Sequence, residues 1–376
     1  MNRLLETLVG QSVAAIDTPA LVIDLDAMER NLATMAAYAR QHGMKLRPHA
    51  KMHKCAELAR LQMAAGAAGV CVQKTGEAEA LAAQGINDIY ISNEVIAPHK
   101  LARVAALARA LQARGGRLAI AVDSAIGVNH LAQALGSGQN LVDVFVELDV
   151  GHGRCGVATP EDVLPLAQAI VAKPAMRFAG IQAYQGRAQH LRSVAERRAA
   201  LDEVLARVQH ARALLQATGI EVPLVTGAGT GTFSMESGSG VYGELQAGSY
   251  LLMDADYARN DADPAQPRFE HALFLKTQAM SRCATHAVCD AGHKSHAIDS
   301  GLPRVHGAAL EFFNGGDEHG VLRGDKLPEI GDVLWLIPGH CDPTINLHDW
   351  MIGVRGGLTT GVVEKIFRVD ARGALS

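Results

Sequence analysis

No apolar run in this 376-residue chain is long enough to span a bilayer, so no membrane partner is expected. Cys-x-x-Cys pairs are missing as well. The six cysteines, Cys55, Cys71, Cys155, Cys283, Cys289 and Cys341, are scattered and form no short disulfide framework. Reduced thiols in a cytoplasm fit them best. Basic charge is scarce: 35 Lys and Arg against 39 Asp and Glu leave a formal charge of −4. With no dense basic patch interleaved with aromatics, nucleic acid is not an expected partner. Residues 1–17 include Glu6 and no long apolar stretch, which is not the pattern of a signal peptide. Internal repeats and low-complexity linkers are also lacking. What is present suits a soluble, cytoplasmic protein, with 48% hydrophobic residues to build a large core in one or two domains.

From residue 21 the chain alternates Val/Ile/Leu-rich runs with Ala/Leu-rich helical runs. The strand candidates are 21–26, 46–53, 69–73, 88–93, 117–123, 142–150, 178–186 and 224–229. They show little alternation, as expected of parallel strands buried on both faces. Helical stretches such as 28–42, 55–65 and 192–218 separate them. Eight strands in this rhythm predict an α/β fold, a (β/α)8 TIM-like barrel, with a doubly wound open sheet as the alternative. After about residue 257 the helical runs give way to short β-like segments, 272–280, 287–290, 333–337 and 361–367, with frequent Gly and Pro between them. The expected division is a barrel over 22–257 and a mostly β domain over 258–376, which residues 1–21 are expected to join.

A barrel carries its chemistry at the C-terminal ends of its strands, and here six of those ends are polar. Among them are Arg47-Pro48-His49-Ala50-Lys51, Ser92-Asn93-Glu94, Gly151-His152-Gly153-Arg154 and Gly227-Ala228-Gly229-Thr230-Gly231-Thr232. Small and hydroxyl residues after the last strand let backbone N–H groups approach a phosphate closely; a flexible Gly-rich loop has the same composition. A lysine within a strand is expensive to bury as a cation. Burial lowers its pKa and favours Schiff-base chemistry, so Lys51 is a candidate nucleophile, unless the strand ends at His49 and Lys51 faces solvent. A lysine on one strand with a phosphate cradle on another suits pyridoxal phosphate.

Several segments together resemble one family. They are Asp17-Thr18-Pro19-Ala20-Leu21-Val22-Ile23-Asp24, Arg47-Pro48-His49-Ala50-Lys51, the 151–156 loop, the Gly-rich loop and Pro338-Gly339-His340-Cys341-Asp342-Pro343-Thr344. The family is that of the D-threonine aldolases, with the related 3-hydroxy-D-aspartate aldolases and eukaryotic-type D-serine dehydratases. The resemblance implies an alanine-racemase-like architecture, a barrel followed by a β domain. It implies that Lys51 carries the cofactor as a Schiff base and that Arg154 faces the pyridine nitrogen. A guanidinium stays protonated, so it disfavours a proton on that nitrogen. The resemblance also assigns the phosphate to Gly229, Thr230 and Gly231, assisted by Gly248, Ser249 and Tyr250. It puts Tyr184 beside the cofactor and His190 near the substrate hydroxyl. A histidine at a helix start is the plainer account of His190.

The same resemblance makes His340 and Asp342 metal ligands. In an extended segment residues i and i+2 point the same way, and Pro343 favours an extended Asp342, so imidazole and carboxylate are expected to converge while Cys341 points away. Nitrogen with a hard oxygen suits Mn2+, Mg2+ or Co2+. The dehydratase relatives carry His-x-Cys, which favours Zn2+, so the aspartate points to the aldolase branch. His348 and Asp349 are a weaker second pair, and His286, His293 and Lys294 read as surface residues. The expected enzyme is a carbon–carbon lyase, dependent on pyridoxal phosphate and a divalent metal. It would cleave a D-β-hydroxy-α-amino acid to glycine and an aldehyde, with a homodimer implied by the family. A dehydratase giving a 2-oxo acid and ammonia is the alternative. A metal-free racemase leaves the metal pair without purpose, and a non-catalytic pyridoxal-phosphate carrier needs no β domain.

Overall fold

The computed structural model describes residues 3–376. Eight parallel strands form the first sheet: β2 (Lys45–Leu46), β3 (Val70–Val72), β4 (Asp88–Ile91), β5 (Arg117–Val122), β6 (Val142–Glu147), β7 (Met176–Ala183), β8 (Val225–Gly227) and β9 (Glu244–Leu245). Their order is β2-β9-β8-β7-β6-β5-β4-β3. An isolated parallel bridge between His49 and Cys71 joins the two ends, so the sheet closes into a TIM-like barrel. The barrel strands are buried on both faces, β3 and β8 entirely, which explains their unbroken apolar runs. In β7, Gly180 sits at φ +134°, and a Cβ there would collide with the Leu224 carbonyl. The adjoining β6–β7 register shifts at Val144/Phe145, so glycine permits the bulge.

Helices cover the barrel where local signals start them. Asp24 caps Leu25–Gln41 by accepting from the N–H groups of Asp26 and Ala27 at 3.0 and 3.1 Å. Ser193 and Glu196 form a reciprocal capping box at the head of Val194–Ala217. No helix of the described residues is long and apolar enough to cross a membrane.

The second sheet is built on β1 (Ala20–Asp24), β10 (Leu273–Arg282), β11 (Ala287–Cys289), β12 (Arg304–Val305), β13 (Glu311–Asn314), β14 (Gly320–Arg323), β15 (Val333–Ile337), β16 (Trp350–Arg355) and β17 (Val362–Arg368). Segment 21–26 is therefore not a barrel strand. β1 pairs antiparallel with β10 and parallel with β16, and the two-residue β9 completes the barrel instead. Segment 46–53 is shortened too: β2 ends at Leu46, and Ala50–Met52 is a single 3-10 turn. One apolar cluster, including Ile23, Met28, Met52, Cys341, Ile345 and Met351, fills the seam between barrel and sheet. That seam sets the distance between the two halves of the site.

Candidate active site

The 3-10 turn after β2 carries Lys51 into a cavity of about 130 Å³ at the C-terminal end of the barrel. Arg154, Tyr184, His190, Gly229, Thr230, Gly248, Ser249, His340 and Asp342 line the same cavity. Of the residues expected there, Gly231 and Tyr250 stand outside it. The Gly231 N–H donates to Gln189 Oε1 at 2.9 Å. Tyr250 is wholly buried: its N–H donates to Thr230 Oγ1 at 3.1 Å, and its hydroxyl accepts from Gln62 at 3.2 Å. It supports the Thr230 loop from behind.

Lys51 Nζ lies 3.6 Å from Asp342 Oδ2. Burial pushes the amine down as expected, but the Asp342 carboxylate and Tyr184 outweigh it, and the amine stands above its ordinary value. The expectation of a lowered lysine fails because the carboxylate is so near. Behind it, burial and the charges of Lys51 and Arg154 hold His49 well below the usual imidazole range. This neutral ring contacts Gln73 Nε2 at 2.8 Å and Ser92 Oγ at 3.2 Å.

His340 and Asp342 converge, though not through an extended segment. His340 is extended, with φ −146° and ψ 124°, but it caps a short helix, Cys341–Ile345, and Asp342 lies in that helix's first turn. Proline is tolerated in a first helical turn, where its missing N–H has no partner to lose, and this outweighs the extended preference it imposes on Asp342. Cys341 does point away, buried, with its thiol donating to the Met253 carbonyl at 3.4 Å. His340 Nε2 stands 3.7 Å from Asp342 Oδ1. That oxygen is buried without a hydrogen-bond partner, as a cation ligand would be. His340 Nδ1 is 2.7 Å from Asp299 Oδ2. A proton on Nδ1 leaves the Nε2 lone pair directed at Asp342. Burial pulls the His340 ring down, but Asp342 and Asp299 reverse this, and the ring sits above its ordinary value.

His190 ends the 3-10 turn Arg187–His190 rather than starting a helix. Its Nδ1 is 2.6 Å from Asp256 Oδ2, so its Nε2 is the free nitrogen. Asp256 Oδ1 accepts from Arg192 at 2.6 Å and from Arg259 at 2.7 Å. Burial would raise this carboxyl, but the bonds from Arg192 and His190 hold it below the usual range.

Both expected groups fit these residues. Gly229 and Gly248 line the cavity and pack too tightly for a side chain: a Cβ on Gly229 would strike the Gln189 amide, and one on Gly248 would lie 2.7 Å from the His49 carbonyl. Backbone this close to a cavity can cradle a phosphate, with Lys51 lining the same space. The orphaned Asp342 oxygen beside the His340 nitrogen suits a divalent cation.

Other histidines stay apart. His348 Nε2 bonds the Ser295 carbonyl at 2.8 Å, and Asp349 pairs with Arg372. His293 and Lys294 pair with surface Asp317 and Glu318, and His286 contacts Cys283 on an exposed hairpin. Sequence reasoning missed His49, Asp256 and Asp299. His49 stood beside Lys51 in a quoted motif and was the most accessible of the three.

Residues 23–256 match the family described as alanine racemase, N-terminal domain, and residues 272–354 match a serine dehydratase domain. The chain is 45% identical over 372 residues to 3-hydroxy-D-aspartate aldolase of Paracoccus denitrificans (strain Pd 1222), covering 97% of this chain and 94% of that one. The solved D-threonine aldolase from Filomicrobium marinum superposes with a TM-score of 0.93 at 43% identity, covering 98% of this chain and 99% of that one. D-threo-3-hydroxyaspartate dehydratase of Delftia sp. (strain HT23) is 30% identical over 363 residues, covering 89% of this chain and 93% of that one.

Proposed function

We propose that this chain, which belongs to the alanine-racemase-like family of D-threonine and 3-hydroxy-D-aspartate aldolases, cleaves the Cα–Cβ bond of a D-β-hydroxy-α-amino acid to give glycine and an aldehyde. The observation that carries the reading is the convergence on Asp342. Its carboxylate lies 3.6 Å from Lys51 Nζ and 3.7 Å from His340 Nε2 in one cavity.

In this reading Lys51 would hold pyridoxal phosphate, Gly229, Thr230, Gly248 and Ser249 would bind its phosphate, and Tyr184 and Arg154 would flank its ring. Gly231 and Tyr250 buttress that loop. The cofactor would supply an electron sink and a hard divalent cation would supply Lewis acidity. His340 and Asp342 hold the cation, and Asp299 orients the imidazole. Mn2+, Mg2+ and Co2+ suit this nitrogen and oxygen pair. His190, fixed by Asp256, takes the β-hydroxyl proton at Nε2, and Lys51 returns a proton at Cα. Arg154, which lines the cavity, would present its positive charge to the cofactor ring.

The chain is divided at about residue 257: the barrel before it forms the cofactor unit, and 258–376, joined in the second sheet by β1 (Ala20–Asp24), supply the metal pair. A cytoplasmic homodimer completes the proposal. The aldolase reading is preferred to the dehydratase because Asp342 stands where thiolate-bearing relatives carry cysteine. Incubation with pyridoxal phosphate, Mn2+ and D-threonine or D-3-hydroxyaspartate tests it. Glycine with an aldehyde is expected, and a 2-oxo acid with ammonia would overturn it.

A further inference from the structure

We propose that Gln189 is a positioning residue that presets the 228–232 loop for the cofactor phosphate and ties that loop to His190. The roles of loop and histidine rest on the function proposed above.

Gln189 does not line the cavity. It is wholly buried behind it, in the 3-10 turn Arg187–His190. Every polar atom of its side chain is committed. Oε1 accepts from the Gly231 N–H at 2.9 Å. Nε2 donates to the Gln185 carbonyl at 3.2 Å and to Thr232 Oγ1 at 2.8 Å. A main-chain N–H only donates and a carbonyl only accepts, so the amide has one orientation. The Thr232 hydroxyl gives its own proton to Glu236 Oε1 at 2.8 Å, so it accepts from Gln189. The glycines on either side of Thr230 pack on the same side chain: a Cβ on Gly229 would strike the amide, and one on Gly231 would lie 3.2 Å from Oε1.

The loop held in this way is strained. Ala228 sits at φ +69°, a left-handed conformation that a Cβ disfavours, and it lines the cavity beside Gly229 and Thr230. Such backbone persists where its surroundings over-determine it, and it clusters at ligand clamps. Three contacts do so here: Gln189 on Gly231, Gln266 Nε2 on the Thr230 carbonyl at 2.7 Å, and the Tyr250 N–H on Thr230 Oγ1.

Gln189 also reaches the base. Its carbonyl accepts from Asn260 Nδ2 at 2.9 Å. Asn260 Oδ1 accepts from Arg192 at 2.7 Å, Arg192 donates to Asp256 Oδ1, and Asp256 Oδ2 holds His190 Nδ1. His190 follows Gln189 in the chain, so this ring of bonds closes on itself. The side chain of Gln189 grips the phosphate loop while its main chain belongs to the ring that fixes the imidazole. A shift of one moves the other.

The test measures pyridoxal phosphate binding to the dialysed protein without substrate, and then kcat at saturating pyridoxal phosphate and Mn2+. Gln189→Glu keeps the volume but puts an acceptor where the donor faced the Gln185 carbonyl and Thr232. It should weaken pyridoxal phosphate on the order of tenfold or more, because buried acceptors then face each other. It should lower kcat on the order of tenfold through His190. The phosphorus NMR signal of the bound cofactor should move from its wild-type position, which the loss of a mere space-filler would not cause. Should Gln189→Glu not fold, two variants at Thr232 carry the test. Thr232→Val removes the hydroxyl that accepts from Nε2 and should weaken the cofactor; Thr232→Ser keeps that hydroxyl and should bind as the wild type does. Wild-type affinity with an unmoved phosphorus signal in Gln189→Glu or Thr232→Val would overturn the proposal, and lost affinity with wild-type kcat would overturn the tie to His190. A wild-type protein that binds pyridoxal phosphate but turns over neither D-threonine nor D-3-hydroxyaspartate would sink the proposed function and leave the preset loop standing.

Discussion

Replacing Asp299 by asparagine tests whether the His340–Asp342 pair is held ready for a cation. Asparagine keeps the shape and an acceptor oxygen but removes the charge that fixes the proton on His340 Nδ1 across 2.7 Å. Outer-shell carboxylates on metal-binding histidines are worth about 10- to 100-fold in affinity, or roughly 1.4 to 2.8 kcal/mol. Asp299 is 52% exposed and His340 27%, so solvent screens part of the interaction. The expected loss therefore lies at the lower end, near tenfold. Mn2+ titration of the cofactor-loaded protein, followed by electron paramagnetic resonance without substrate, reads it directly. The cofactor absorbance should not change. Wild-type Mn2+ affinity in Asp299→Asn, alongside lost affinity in His340→Ala, would refute the orienting role and leave the ligand assignment intact. Unchanged affinity in His340→Ala would refute the ligand assignment itself.

Lys51→Ala should abolish the borohydride-reducible absorbance of the cofactor, and a persisting reducible band would place the Schiff base on another lysine. Asp256→Asn leaves the His190 ring without its anionic partner and should cut kcat on the order of 100-fold with little change in KM; wild-type kcat would remove His190 from proton transfer. Glu236 is fully buried beneath the Gly229–Thr230 loop, and burial lifts its carboxyl to about 7 even though Thr232 donates to it. The folded chain thus retains a proton that the unfolded chain releases from about 4.5 upward, so this group makes stability fall as pH rises between about 4.5 and 7. The melting temperature of wild type relative to Glu236→Gln should decline across that window, and a flat difference would show that Glu236 is ionised in the fold.

The barrel was legible because strands buried on both faces leave unbroken apolar runs, as in 117–123 and 142–150. The same signal misplaced 21–26. β1 is also buried on both faces, with Leu21, Val22 and Ile23 at 2% exposure or less, and its partners, β10 and β16, lie about 250 and 330 residues downstream. Only tertiary pairing assigns it to the second sheet. β9 is two residues long and carries no period to detect. The Lys51 and His340–Asp342 motifs were readable as resemblances, but their local geometry was not. Pro343 pointed to an extended segment, and the chain formed a helical turn instead. Asp256 and Asp299 are two among 39 acidic residues, and neither has a sequence neighbour that marks it as a partner of a histidine.

The two halves of the site reach the cavity from different units, and this decides what fixes its chemistry. Lys51 hangs from a 3-10 turn of the barrel, whereas Asp342 sits on a short helix anchored to the second sheet. No hydrogen bond below 3.5 Å joins the two side chains; their 3.6 Å ion pair is loose. Their separation is set by the apolar seam, where Met52 follows Lys51 in the chain and Cys341 and Ile345 flank Asp342, all at 1% exposure or less. Close-packed interiors transmit the loss of even one methylene. On the function proposed above, the seam belongs to the catalytic geometry because it holds Asp342 facing Lys51.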